Sequence, residues 1–178
     1  LAWALLMLAL YPEVQDRLAA EAATLGEAPE FGDVSKLRYT RDVFREVLRL
    51  YPPVPMMVRE NSCPEKMRGR AVAAGGQIVL SPWHLHRHER IWDRPDVFEP
   101  SRWQTEENRT CARDAYMPFS AGPRVCTGAG FAMIEGVLLL AMLARNFRFE
   151  RAEAVDPVPV AHLTVRSRNG IKLRVSRR

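Results

Sequence analysis

The sequence predicts a mainly α protein with small β-sheets, an α+β fold. Three observations carry this. Apolar residues recur at helical spacing before residue 51 and again after residue 128. Short β-favouring pieces, broken by Gly69, Gly75 and Gly76, lie between Met56 and Pro82. A second such group, Leu163, Val165, Ile171, Leu173 and Val175, surrounds Asn169-Gly170 near the end of the chain. A chain of 178 residues is long enough to bury a core. No repeat, low-complexity tract or linker divides it, so residues 1–178 are read as one domain.

In chain order, Leu1 to Leu25 reads as helix interrupted near Tyr11-Pro12. Pro12 starts a second helix, because a first turn leaves its N–H groups unpaired and proline has none to lose. Gly26 to Gly32 is expected to be a loop, and Asp33 to Leu37 a short helical turn. From Arg41 to Leu50, residues Val43, Phe44, Val47, Leu48 and Leu50 follow helical spacing, and Pro52, Pro53 and Pro55 stop that helix. Met56 to Pro82 reads as a small antiparallel sheet that includes Gln77–Leu80. Trp83 to Trp92 is a short helix or irregular. Asp93 to Gly122, rich in charge, proline and glycine, is expected to be a meander without a periodic element. An ordered stretch of that length is often functional. Gly128 to Phe147 is the longest helix, and Val158 to Val175 reads as a two-stranded hairpin turning at Asn169-Gly170.

Composition excludes several classes. Lys and Arg total 26 against 21 Asp and Glu, a net charge of +5, but the arginines are dispersed. Nucleic-acid binding needs a clustered basic stripe or a known module, and neither is present. A modestly positive surface suits an acidic partner protein instead. Cys63, Cys111 and Cys126 are scattered, with no C-x-x-C pair, so neither a zinc knuckle nor a disulfide framework is indicated. A reducing compartment, the cytoplasm, is the expectation. The apolar runs Leu1–Leu10 and Val137–Ala144 are too short to span a bilayer, and both read as core helix, so no membrane segment is expected. The chain opens in mid-pattern at Leu1, which reads as a fragment lacking the start of its first helix.

The chemistry gathers at Phe119-Ser-Ala-Gly122-Pro-Arg124-Val-Cys126-Thr-Gly128. This run places Cys126 ahead of a long apolar helix, whose unpaired N–H groups and positive dipole end favour an ionised, metal-ligating sulfur. A packing cysteine is the plain alternative. The pattern F-x-x-G-x-R-x-C fixes five positions with its closing glycine; at roughly 5% per residue type, a chance match in this chain is on the order of one in ten thousand. A second pattern pairs Glu46 with Arg49, three apart on one helical face, followed by Leu50-Tyr-Pro-Pro53. Alone, that pair is an ordinary surface contact. A third piece is Phe98-Glu-Pro-Ser-Arg102-Trp103.

Together these three pieces resemble the cytochrome P450 family, and the resemblance runs through the whole chain, as the C-terminal part of a soluble bacterial-type member. It implies a partial P450 fold truncated at its N-terminus. It implies haem b, iron protoporphyrin IX, with Cys126 as axial iron ligand and catalytic sulfur, and Phe119, Gly122, Arg124, Gly128 and Arg59 as cofactor-binding residues. Arg59 and Arg124 would take the propionates, since guanidinium forks suit carboxylates. Glu46, Arg49 and Arg102 would form a buried structural triad, although Ser101 and Trp103 replace the acidic residue and phenylalanine usual beside Arg102. Val54, Met56, Met57 and Val160 would line the pocket of a hydrophobic substrate.

The implied activity is monooxygenation, one oxygen atom from O2 entering a hydrophobic small molecule. Electrons would come from NAD(P)H through a ferredoxin, flavodoxin or reductase. The family's oxygen-activating acid/alcohol motif would precede Leu1, so the fragment alone is expected to be inactive. Two alternatives are a non-catalytic haem-binding remnant or split-protein half, and a peroxide-driven peroxygenase. Lys36, Arg38, Arg41, Arg45, Arg109 and Arg113 could form a basic dock for an acidic partner.

Two further patterns are weighed and set aside. His84, His86 and His88 alternate as a metal-binding strand would, but Trp83-His-Leu-His-Arg87 matches the family's His-Arg segment, which holds no zinc. Gly128-Ala-Gly130-Phe-Ala-Met133 mimics a dinucleotide fingerprint, yet Met133 stands where a small residue is needed and no βαβ unit surrounds it.

Overall fold

In the computed structural model, which describes residues 1–26 and 29–178, the first apolar run forms α1 (Ala2–Leu10) and Pro12 opens α2 (Pro12–Ala23). The loop expected over 26–32 lies partly outside the described residues. A 3-10 turn spans Phe31–Lys36, and α3 covers Arg38–Leu50. The helix α3 begins ahead of its apolar pattern because Glu21 of α2 caps it. Glu21 accepts the Tyr39 and Thr40 N–H groups at 2.7 and 2.8 Å, and the Thr40 hydroxyl at 2.7 Å. An anion on donors that a helix start leaves unpaired is the favoured arrangement.

The small sheet is β1 (Met57–Glu60), β2 (Glu65–Met67), β3 (Arg70–Val72) and β4 (Gln77–Leu80). It divides into two antiparallel pairs, β1 with β4 and β2 with β3. Next come α4 (Pro82–Leu85) and a 3-10 turn over Pro100–Gln104.

The expected unperiodic meander contains a helix, α5 (Glu106–Ala115). Local chemistry makes it without an apolar stripe. Thr105 accepts the Asn108 N–H as N-cap, Glu106 and Glu107 sit in the first turn, and Arg113 sits in the last. Among its described residues, Ala112 and Ala115 are the buried ones, against Trp92 and Trp103. Small residues of this kind leave a weak periodic signal.

The longest helix is α6 (Ala129–Asn146), followed by β5 (Phe147–Arg151), β6 (Pro159–Ala161), β7 (Val165–Ser167) and β8 (Leu173–Arg177). The hairpin expected to turn at Asn169-Gly170 is not formed. The strand β6 pairs with β7 across residues 162–164, and β8 pairs with β5. Asn169-Gly170 instead carries the chain from one sheet to another. The partner β5 was hidden directly after α6, because it begins where the helix ends and pairs with residues distant in sequence.

The main core joins α1, α2, α3 and α6. Gly136 of α6 lies under the Phe44 ring of α3, where an added Cβ would come within 2.2 Å of Phe44 Cζ. Gln15 of α2 is buried and serves β5: its amide accepts the Phe149 N–H at 2.7 Å and donates to the Phe149 carbonyl at 3.0 Å. By length and composition α6 could cross a membrane. Its residues Gly136, Val137, Leu140, Ala141 and Ala144 are buried, the last four in this core.

Candidate functional site

The loop ahead of α6 is closed on itself. Cys126 N–H donates to the Phe119 carbonyl at 2.8 Å, and Val125 N–H to Gly122 at 3.0 Å. Gly122 has φ +66°, a left-handed turn that suits a residue without Cβ. Ser120 adopts the same φ, unusual for a residue with a side chain. Its hydroxyl is held from outside the loop, accepting from Arg59 Nη2 at 3.2 Å beside Met57 Sδ. Cys126 is exposed, and Gly128 forms the N-cap of α6.

A cavity of about 410 Å³ opens before this loop. Phe119, Arg124 and Cys126 line it from the loop, and Val54, Met57 and Arg59 from the opposite segment. The strand β1 explains the choice of Met57 and Arg59, since alternate residues face opposite ways. Met57 and Arg59 are half-buried towards the cavity, whereas Val58 is exposed. Met56 and Val160 line a separate groove of about 290 Å³ with Trp83 and His84. The four residues expected in one substrate pocket therefore divide between two surfaces.

The donor set matches a planar, mostly apolar metal complex with acidic edges. It offers one exposed thiol, two guanidinium groups and apolar walls. Haem fits that description, with Cys126 available to iron and Arg59 and Arg124 to carboxylates.

Behind the loop lies an ionic brace. Glu46 and Arg49 of α3 are fully buried, and Arg102 nearly so. Arg49 meets the Glu46 carboxylate through Nη2 at 2.9 Å and Nε at 3.0 Å, and Arg102 Nε donates at 2.8 Å. The remaining guanidinium N–H groups end on backbone carbonyls. Those of Arg49 reach His86, Pro95 and Val97, and those of Arg102 reach Asp93, Arg94 and Val97. Sequence reasoning missed a fourth member: Trp103 Nε1 donates to Glu46 at 3.1 Å. Its place directly after Arg102 was the only available signal.

The three histidines do not share a strand face. His84 lies in α4 with its ring on Ser81, and the His88 ring accepts the Arg90 N–H. His86 is buried between Arg49 and Met117. Among the described residues no group of three His, Cys, Asp or Glu side chains could hold a metal ion. Within the basic cluster, Lys36 pairs with Asp33, Arg41 bonds the Val34 carbonyl, Arg109 pairs with Glu106, and Arg45 stacks over Trp103 at 4.2 Å.

Comparison with known proteins identifies the family. A family model described as Cytochrome P450 matches residues 1–175. The chain is 38% identical over 177 residues to cytochrome P450 4B1 of Rattus norvegicus, covering 97% of this chain and 35% of that protein. It is 37% identical over 168 residues to cyclooctatin synthase of Streptomyces melanosporofaciens, covering 92% and 37%. It is 35% identical over 184 residues to the protein LUTEIN DEFICIENT 5, chloroplastic, of Arabidopsis thaliana, covering 100% and 31%. The chain thus spans about a third of the length of these curated relatives.

Proposed function

The chain belongs to the cytochrome P450 family, and from that premise we propose that Cys126 would hold the iron of haem b in a monooxygenase. The reaction inserts one oxygen atom from O2 into a hydrophobic organic substrate. The observation that carries the proposal is the meeting of Cys126, Arg59 and Arg124 on one apolar cavity.

When bound, the haem supplies dioxygen binding and reductive cleavage, which a thiolate ligand favours by donating electron density. Arg59 and Arg124, which line the cavity, would hold its propionates. Phe119 and the Gly122 turn present a thin, apolar loop to the ring, and Gly128 keeps the backbone near Cys126 free of bulk. Val54 and Met57 in the cavity, with Met56 and Val160 in the groove, offer apolar surface that excludes water and binds substrate. Glu46, Arg49 and Arg102 hold the segment that supports the loop.

Electrons come from NAD(P)H through a ferredoxin, flavodoxin or reductase. The basic residues Arg38, Arg41, Arg109 and Arg113 favour an acidic partner. The three free cysteines suit a reducing location, the cytoplasm. Because the chain spans only part of its relatives, oxygen activation is proposed for the whole protein and not for residues 1–178 alone.

The test is the carbon monoxide difference spectrum of the reduced holoprotein. The red-shifted Soret band of thiolate-ligated haem is expected, and Cys126→Ala should abolish it. A haem protein whose band survives that substitution would sink the assignment. Failure of the unsubstituted protein to bind haem would favour a non-catalytic remnant.

A further inference from the structure

The side chains of the ionic brace stop short of the Cys126 loop. Among the described residues, the guanidinium groups of Arg49 and Arg102 end on Glu46, on carbonyls of residues 86 to 97 and, for Arg102, beside the Glu99 carboxylate at 3.8 Å. Among the described residues, His86 is the side chain that hydrogen-bonds to both sides of the remaining distance; Trp103 reaches across it only as an edge-on ring contact with Tyr116, centroids 4.7 Å apart. His86 is wholly buried, with Nδ1 3.1 Å from the Arg49 carbonyl and Nε2 2.9 Å from the Met117 amide nitrogen. A carbonyl only accepts and an amide N–H only donates, so the ring is the neutral tautomer with its proton on Nδ1. The contact with Arg49 is reciprocal, since Arg49 Nη1 donates to the His86 carbonyl at 2.7 Å. Both ring nitrogens are committed, which leaves no lone pair for a metal.

Met117 stands where the loop begins. Its carbonyl accepts the Ser120 N–H at 3.2 Å, and the next bond inward joins Phe119 to Cys126. Ser120 holds a left-handed backbone conformation that a side-chain-bearing residue keeps only when its surroundings enforce it. The loop therefore needs a fixed base. Tyr116 supplies part of one, stacking on the His86 ring at 5.4 Å and donating its hydroxyl to the Arg45 carbonyl at 3.2 Å.

We propose that His86 is the positioning residue that couples the ionic brace to the haem-ligating loop, through its hydrogen bonds to the Arg49 carbonyl and the Met117 amide. The coupling rests on the reading of Cys126 as haem ligand; the hydrogen-bonded clamp itself does not.

Nitrogen NMR and amide exchange on the ferrous carbon monoxide holoprotein test both parts. In the unsubstituted protein the His86 proton should reside on Nδ1, and the Met117 amide should exchange slowly. This measurement needs no variant. His86→Leu should raise Met117 exchange about tenfold or more, as the loss of a buried hydrogen bond predicts, and enlarge the fraction lacking the thiolate Soret band. His86→Gln, whose Oε1 can reach the Nε2 position, should restore both. A proton on Nε2, or Met117 exchange unchanged in His86→Leu, overturns the clamp even if the thiolate band is normal. Slow Met117 exchange in a haem protein without any thiolate band overturns the haem reading, and the coupling with it.

Discussion

Glu46 has no contact with water, and its carboxylate takes five donors: two from Arg49, one each from Arg102 and Trp103, and the Glu99 amide. Removing a single partner leaves a buried charge uncompensated, so Arg102→Ala should cost about 3–5 kcal/mol in denaturant unfolding. Trp103→Phe keeps the ring and removes only the donor; a loss of about 1.5–3 kcal/mol is expected, and no loss would show that the indole N–H contributes nothing. His86 adds a pH term. Burial pushes its pKa down from 6.5 to about 4. Arg49 of α3, Arg87 beside it and stacked Tyr116 face the ring, and both arginines also disfavour its proton. The unfolded chain binds that proton more readily, so the neutral ring's contribution is complete above about pH 6.5 and is lost as pH falls towards 4. The total is roughly 3 kcal/mol for the 6.5-to-4 shift. Unfolding curves of His86→Gln should lack this part of the acid slope; identical slopes in both proteins would contradict it.

At the scale of elements, legibility followed the strength of the local signal. The break at Pro12, the 3-10 turn before α3 and the span of α6 were readable, because proline chemistry and repeated large apolar residues mark them. The helix α5 was not, since caps and two alanines do the work that leucines do elsewhere. Nor was the β5–β8 pairing, since strand partners distant in sequence leave no local trace. The cysteine loop and the Glu46–Arg49 pair were readable from fixed spacing, whereas the division of Val54 and Met57 from Met56 and Val160 depends on the path of the chain into β1 and on the placing of β6, which leave no local trace. Gly136 was passed over for a tertiary reason: its importance is the Phe44 ring of another helix. Gly136→Ala forces that ring to move, and overpacking of this kind costs about 1–3 kcal/mol. Adding Phe44→Leu should recover part of the loss, which a double-mutant cycle measures.

For the molecule as a whole, the described residues are, on the proposed reading, the sulfur side of a haem site. A core of α1, α2, α3 and α6 carries the brace, the brace carries His86, and His86 carries the loop. An acidic electron donor drawn to the basic face should reduce the haem more slowly as salt rises, because exposed charges are screened beyond about 8 Å at physiological ionic strength. Rates independent of salt would contradict docking by charge. The central claim, that Cys126 sulfur binds haem iron, is tested most directly by resonance Raman spectroscopy of the ferric holoprotein grown with sulfur-34 cysteine. An iron–sulfur stretch that shifts with the isotope and vanishes in Cys126→Ala is the predicted result; a haem protein with no isotope-sensitive band, or one that keeps the band in Cys126→Ala, would contradict the account.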